Sequence, residues 1–184
     1  MPSSNIPPHL ARDIKLACFD VDGCLTDNGV YIGQTASGEP VEMKRFNILD
    51  GLGIKLLKKA GMEVAFVSGR ISVATTLRAK ELNVEAHQAD AGHKMDAVRE
   101  LMTRYQVDWH EIAWLGDDLP DMALMRRVGL PVAVGNAVQA IKDVAVWTTP
   151  SRGGDGAARE FCEELLQARG QWERLAEEYV SERS

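Results

Sequence analysis

The stretch Leu16-Ala17-Cys18-Phe19-Asp20-Val21-Asp22-Gly23 decides how the fold is read. A short apolar run breaks at two carboxylates and a glycine, the pattern of a buried strand opening into a loop. The theme returns three times: Val64-Ala65-Phe66-Val67 before Ser68-Gly69, Ile112-Ala113-Trp114-Leu115 before Gly116-Asp117-Asp118, and Val132-Ala133-Val134 before Gly135-Asn136. Between these runs, 52–60, 73–82, 95–105 and 122–128 carry apolar residues at three- and four-residue spacing, which predicts helices. Alternation of this kind predicts an α/β, three-layer domain with a doubly wound, mostly parallel sheet covered on both faces. In such sheets the ligand sits at the carboxyl ends of the strands, so the residues just past each run are the ones to inspect.

Two segments interrupt the alternation. Residues 29–46 predict two strands around Thr35-Ala36-Ser37-Gly38, a hairpin placed to act as a flap over the site. The interval from Asp22 to Ser68 must hold that hairpin and a helix, and leaves no space for a separate cap domain. From 155 to 180 the sequence is amphipathic, with Ala158, Phe161, Cys162, Leu165 and Leu166 on one face. A second stripe after Gly170 holds Trp172, Leu175, Ala176, Tyr179 and Val180. Residues 1–13, carrying Pro2, Pro7 and Pro8, read as a flexible leader. The expected division is then a leader, one domain over 14–170, and a helical tail over 171–184.

Composition narrows the function. With 27 acidic against 21 basic residues among 184, the chain carries a formal charge of −6. A general nucleic-acid binder should be basic, so that class is excluded. A content of 45% hydrophobic and 26% charged residues is that of a globular chain rather than a disordered one. No apolar run approaches the ~20 residues needed to span a bilayer, and the leader lacks the apolar core of a secretory signal. The expectation is a cytoplasmic protein with no membrane partner. The three cysteines, Cys18, Cys24 and Cys162, are odd in number and lack CxxC spacing, so they suggest neither a disulfide framework nor a zinc site. The four histidines show no metal-ligand spacing either.

Taken alone, Asp20 and Asp22 read equally well as turn residues on a solvated loop. Their company at the other strand ends (Ser68, Lys94, Asp117 and Asp121) changes the balance. An aspartate attacking a phosphoryl group needs a divalent cation to offset the repulsion between two anions. It also needs hydroxyl and ammonium donors on the phosphoryl oxygens, and a second carboxyl to handle the leaving-group proton. Every part is present, in consecutive strand–helix units.

These residues carry a resemblance. Phe19-Asp20-Val21-Asp22-Gly23-Cys24-Leu25-Thr26-Asp27, Val67-Ser68-Gly69-Arg70, Lys94 and Gly116-Asp117-Asp118-Leu119-Pro120-Asp121 resemble, in order and spacing, the four motifs of the haloacid dehalogenase superfamily. Asn47-Ile48-Leu49-Asp50-Gly51-Leu52-Gly53-Ile54 and Gly153-Gly154-Asp155-Gly156-Ala157-Ala158-Arg159-Glu160 are similar to the capless subgroup of 3-deoxy-D-manno-octulosonate 8-phosphate phosphatases. The resemblance implies a Mg²⁺-dependent phosphomonoesterase with Asp20 as nucleophile and Asp22 as general acid and base. It further implies Ser68 and Lys94 on the phosphoryl group, and Mg²⁺ held by Asp20, the Asp22 backbone carbonyl and Asp117, with Asp121 orienting the ion's waters. Lys44, Arg45, Arg70, Arg78, Arg152 and Arg159 are then the candidates for a sugar-acid carboxylate. The subgroup also implies a homotetramer whose hairpins cover neighbouring sites, acting in the synthesis of a lipopolysaccharide precursor.

The chain departs from that pattern at three places. Leu49 stands where the subgroup carries arginine, Asn28 where glycine commonly follows Thr-Asp, and the segment from Ala89 to His93 replaces the usual Gln-Gly before the lysine. None removes a catalytic group, but Leu49 makes a nonulosonate 9-phosphate, or another sugar phosphate, a competing substrate. Rivals of other classes fare worse. A receiver domain places its phospho-acceptor mid-chain and its lysine last, whereas here Asp20 precedes everything. A dinucleotide-binding turn needs a third glycine that Gly51-Leu52-Gly53 lacks. A catalytically silent scaffold of the same fold conflicts with the intact Asp20, Asp22, Ser68, Lys94 and Asp117.

Overall fold

The computed structural model describes residues 4–88 and 93–183, so Ala89–Gly92, part of one departure above, lies outside the described residues. In chain order the elements are α1 (Pro8–Asp13), β1 (Leu16–Asp20), β2 (Tyr31–Gln34), β3 (Pro40–Met43), α2 (Ile48–Lys59), β4 (Glu63–Ser68), α3 (Val73–Leu82) and β5 (Glu85–Gln88). They continue with α4 (Lys94–Tyr105), β6 (Ile112–Gly116), α5 (Met122–Met125), β7 (Leu130–Ala133), α6 (Gln139–Lys142), β8 (Trp147–Thr148), α7 (Ala157–Ala168) and α8 (Trp172–Ser181). Six strands pair in the order β5-β4-β1-β6-β7-β8, every neighbour parallel. β2 and β3 form a separate antiparallel hairpin, with Tyr31 opposite Met43.

Register sorts the core onto two faces, because side chains alternate along a strand. Phe19 pairs with Phe66 and with Leu115, and its ring meets Phe66 and Phe161 of α7 edge-on at centroid distances of 6.3 and 5.5 Å. One residue earlier, Cys18 is in register with Trp114, whose ring lies on the other face with the Lys94 ammonium of α4 5.9 Å from its centroid. β1 and β6 are buried at every position, which is why they read as unbroken apolar runs. Caps fix the helix ends. The Asn47 side chain accepts from Leu49 N at 2.9 Å to start α2, and Lys58 and Lys59 sit in its last turn, where cations are favoured. Asn83 and Gln106, both left-handed, end α3 and α4.

Several expectations need correction. The segment read as a loose leader carries α1, with Pro8 at its first position, and Ile6 and Ala11 are fully buried against the core. Two apolar residues among prolines are a weak pattern, but burial of both holds the segment down. α2 begins at Ile48 rather than 52, four residues earlier than its apolar stripe suggests, because Asn47 caps it. α5 stops at Met125, short of 128. The strands β5 and β8 were not expected. Both are edge strands, short and only partly buried, so neither shows a long apolar run.

Candidate active site

Four strand ends converge. Asp20 closes β1, Ser68 closes β4, Lys94 opens α4 after β5, and Asp117 follows β6. Past Asp20 the chain turns tightly over Val21–Leu25, and the turn requires glycine at Gly23 (φ +93°). A Cβ there would fall 2.0 Å from Asp117 Oδ2. Gly153 packs just as closely from the other side: its Cβ would meet the Gly23 carbonyl oxygen at 1.7 Å, and Gly154 N donates to Cys24 O at 3.1 Å. The glycine-rich segment before α7 thus braces the acidic loop.

Asp20 Oδ1 accepts from Val21 N at 2.7 Å and from the Lys94 ammonium at 2.8 Å, which fixes the carboxylate's direction. The same ammonium reaches Asp121 Oδ1 at 2.8 Å, and Asp121 Oδ2 accepts from Asp117 N at 3.0 Å. Both Asp121 oxygens are therefore committed to holding Lys94 and the Asp117 backbone. Asp121, expected to orient the ion's waters, thus also positions Lys94 and the Asp117 backbone. Burial raises the Asp20 carboxyl well above the ordinary range, helped by the Asp121 and Asp117 charges and opposed by Lys94. Burial, with Asp121 next, pushes Asp117 up to about 6. Burial alone would lower the Lys94 ammonium, yet the facing Asp20 and Asp121 carboxylates outweigh it and raise the group. Three buried acids thus share one buried ammonium, a deficit of positive charge that a hard divalent cation fits.

One oxygen each from Asp20 and Asp117, together with the Cys24 sulfur, lie within 4.8 Å of one another. Cys24 was set aside in the sequence because it has no spaced cysteine or histidine partner. Its place in the turn after Asp20 is the signal that would have found it.

Asp22 is turned away from this cluster. Its Oδ1 accepts from the Lys44 ammonium at 2.6 Å, and its Oδ2 lies 3.4 Å from the Ser68 hydroxyl. Lys44 comes from the chain just after β3, and its side chain is only 2% exposed. The hairpin is tied at its base by the Thr26–Phe46 bridge. Expected as a substrate ligand, Lys44 is instead sequestered against the second carboxylate.

The arginine candidates separate. Arg70 lines the cleft of about 250 Å³ formed with Asp20, Asp22, Asn28, Lys94 and Asp117, and pairs with Glu42 at 3.2 Å. Arg45 is exposed and pairs with Asp155 at 2.9 Å. Arg152 is exposed near the glycine-rich segment. Arg78 and Arg159 do not line the cleft. Arg78 donates to Asn47 O at 3.0 Å and pairs with Glu81, while Arg159 pairs with Glu163 and lies 5.4 Å from the Trp172 ring centroid. Both serve helix packing, which corrects their expected role. Leu49 is half exposed in the first turn of α2. Asn28, at a position where glycine is common, adopts φ +65°, a conformation asparagine tolerates.

Comparison with known proteins agrees with this geometry. Residues 88–161 match the family of haloacid dehalogenase-like hydrolases. The 3-deoxy-D-manno-octulosonate 8-phosphate phosphatase of Salmonella typhimurium is 36% identical over 168 residues, spanning 90% of this chain and 87% of that one. The crystal structure of the enzyme of that name from Moraxella catarrhalis, in complex with magnesium, phosphate and a KDO molecule, is similar at a TM-score of 0.85 and 33% identity. That match covers 94% of this chain and 97% of that one. A cobalt-bound form of the corresponding phosphatase from Haemophilus influenzae gives a TM-score of 0.81 at 34% identity, over 89% of this chain and 93% of the other.

Proposed function

The chain belongs to the 3-deoxy-D-manno-octulosonate 8-phosphate phosphatase family of haloacid dehalogenase-like hydrolases, and from that premise we propose that it cleaves a phosphorylated sugar acid through a phosphorylated Asp20. It is a phosphomonoesterase, and its cofactor is Mg²⁺. The observation that carries the mechanism is the buried Lys94 ammonium held 2.8 Å from both Asp20 and Asp121 in the wall of a cleft also lined by Asp117. Asp20 and Asp117 would hold Mg²⁺, which when bound neutralises charge so that two anions can meet.

The steps fall to the chain's own groups. An Asp20 carboxylate oxygen forms a bond to phosphorus as the ester P–O bond breaks, and Asp22 gives its proton to the departing sugar alkoxide. Asp22 then takes a proton from water as that water attacks phosphorus, which frees Asp20 and releases phosphate. Lys94 and the Ser68 hydroxyl bind the phosphoryl oxygens. Lys44 fixes where the Asp22 carboxyl points. Val21 N does the same for Asp20.

The substrate favoured is the 8-phosphate of 3-deoxy-D-manno-octulosonate, consumed in lipopolysaccharide precursor synthesis. Of the candidate arginines, Arg70 lines the cleft and is the one placed to receive its carboxylate, and an arginine fork suits that group. Leu49 favours a second reading, a nonulosonate 9-phosphate, since an apolar side chain there cannot pair with an acid. A steady-state screen of the octulosonate, the nonulosonate 9-phosphates and simple hexose phosphates separates them. The proposal requires kcat/KM for the octulosonate to exceed that for hexose phosphates, and equality refutes it. The working form we propose is a homotetramer. The hairpin leaves Ile32 76% and Met43 59% exposed, an apolar surface that a neighbouring subunit would bury. Among the described residues no helix is long and apolar enough to cross a membrane.

A further inference from the structure

Asn28 is not the residue its backbone calls for. At φ +65° it sits in the left-handed region, where glycine is unstrained and asparagine is tolerated. An asparagine in that region commonly builds the turn with its own side chain. Here Asp27 does so instead: its Oδ1 accepts from Gly29 N at 3.0 Å and its Oδ2 from the Tyr31 hydroxyl at 2.6 Å. The Asn28 side chain is exposed and, among the described residues, bonds to no protein group. It also lines the cleft of about 250 Å³, together with Asp22 and Arg70. The charged groups of that lining already have partners: Asp20 and Lys94 each other, Asp22 the Lys44 ammonium, Arg70 the Glu42 carboxylate, and Asp118 the Leu119 N–H. Asp117 is left for the cation. A binding cleft takes its specificity from a few polar groups placed in its wall, and the Asn28 carboxamide is a neutral one with every bond still to make.

The geometry points to Asn28 as a specificity-determining residue of this cleft, whose carboxamide hydrogen-bonds hydroxyl groups on the polyol part of a phosphorylated sugar. A carboxamide presents donors and an acceptor side by side, which matches a hydroxyl that both donates and accepts. A substrate carboxylate would use the donors alone, and it has the Arg70 guanidinium in the same lining. The inference rests on the reading of Asp22 as the group that protonates the departing alkoxide, which brings the leaving group into the cleft that Asn28 lines. Glycine at this position would keep the backbone and remove the contact, so Asn28 accounts for its own departure from the subgroup pattern.

The test is steady-state kinetics on the Mg²⁺-loaded full chain and its Asn28→Gly variant with three substrates. Octulosonate 8-phosphate carries hydroxyls and a carboxylate, a hexose 6-phosphate carries hydroxyls alone, and p-nitrophenyl phosphate carries neither. Glycine suits φ +65°, so the variant keeps its turn, and a retained thermal transition checks this. The readout is kcat/KM for each sugar phosphate divided by that for the aryl phosphate. Both ratios should fall about three- to tenfold in the variant, mostly through KM, the worth of one neutral hydrogen bond. Ratios that stay level overturn the proposal, whatever the absolute rates do. A fall for the octulosonate alone assigns Asn28 to the carboxylate and overturns it too. If the wild type does not prefer the octulosonate, the named substrate falls, while the hexose-to-aryl ratio of the variant still decides this proposal.

Discussion

Replacing Asp50 with asparagine should change how stability depends on pH. Asp50 sits in the first turn of α2 and accepts from Arg159 N, in the first turn of α7, at 2.9 Å, so one carboxylate clamps two helix starts. Its other oxygen is buried without a partner. Burial raises this carboxyl from 3.8 to about 6, against the pull of the Arg159 N–H bond and the nearby Arg78 and Arg159 charges. A folded-state value above the unfolded one means that the folded protein binds the proton more tightly. The contribution of this group to stability is therefore full below about pH 4 and is lost as pH rises through about 6. A displacement of about two pH units corresponds to about 3 kcal/mol at neutral pH, or about 6–12 °C in Tm for a chain of this size. Asp50→Asn keeps an acceptor for Arg159 N and has no charge to bury. Its amide nitrogen costs something at every pH, so the quantity to read is the change with pH. Thermal or urea unfolding of both proteins at pH 4.5 and 7.5 should show the variant gaining on the wild type by about 2 kcal/mol across that interval, the part of the displacement that falls between those two values. A stability difference that stays flat with pH would refute the reasoning.

Asp20→Asn should abolish phosphate release while leaving the circular dichroism spectrum unchanged. Asp22→Asn should slow turnover about 10²–10⁴-fold, the usual worth of general acid–base help, and wild-type rates in either variant contradict the mechanism. Lys44→Met should lower kcat about ten- to a hundredfold with little change in KM, since it removes a charge-assisted contact to Asp22. A raised KM with unchanged kcat would instead assign Lys44 to the substrate. Light scattering at micromolar concentration should give a tetramer mass, and a monomer mass counts against the covered hairpin.

What the sequence disclosed follows from burial. β1, β4, β6 and β7 lie inside the sheet and are packed on both faces, so Cys18, Phe19, Phe66 and Trp114 stand in runs that no other element mimics. The hairpin was legible because Gly38, at φ +83°, marks its turn. β5, with the sequence Glu85-Ala86-His87-Gln88, was not, since an edge strand facing solvent need not be apolar. The acidic cluster was legible as residue types at strand ends. Which carboxylate turns toward which partner was not. Asp121 pointing to Lys94 and Asp117 N, Asp22 held by Lys44, and Arg78 resting 5.9 Å from the Phe46 ring all depend on side-chain directions that spacing does not carry. Cys24 was hidden for the same reason. Its partners lie one residue past β6 and at the end of β1, close only once the sheet is assembled.

The account's central claim is that Asp20 carries the phosphoryl group during turnover. Acid quenching of the Mg²⁺-loaded enzyme in the steady state with octulosonate 8-phosphate, followed by peptide mass spectrometry, tests it most directly. The account predicts one added phosphoryl group on the peptide containing Asp20, absent from the Asp20→Asn protein and absent without substrate. An actively turning-over enzyme whose Asp20 peptide is never modified, or whose phosphoryl group resides on another residue, would contradict it.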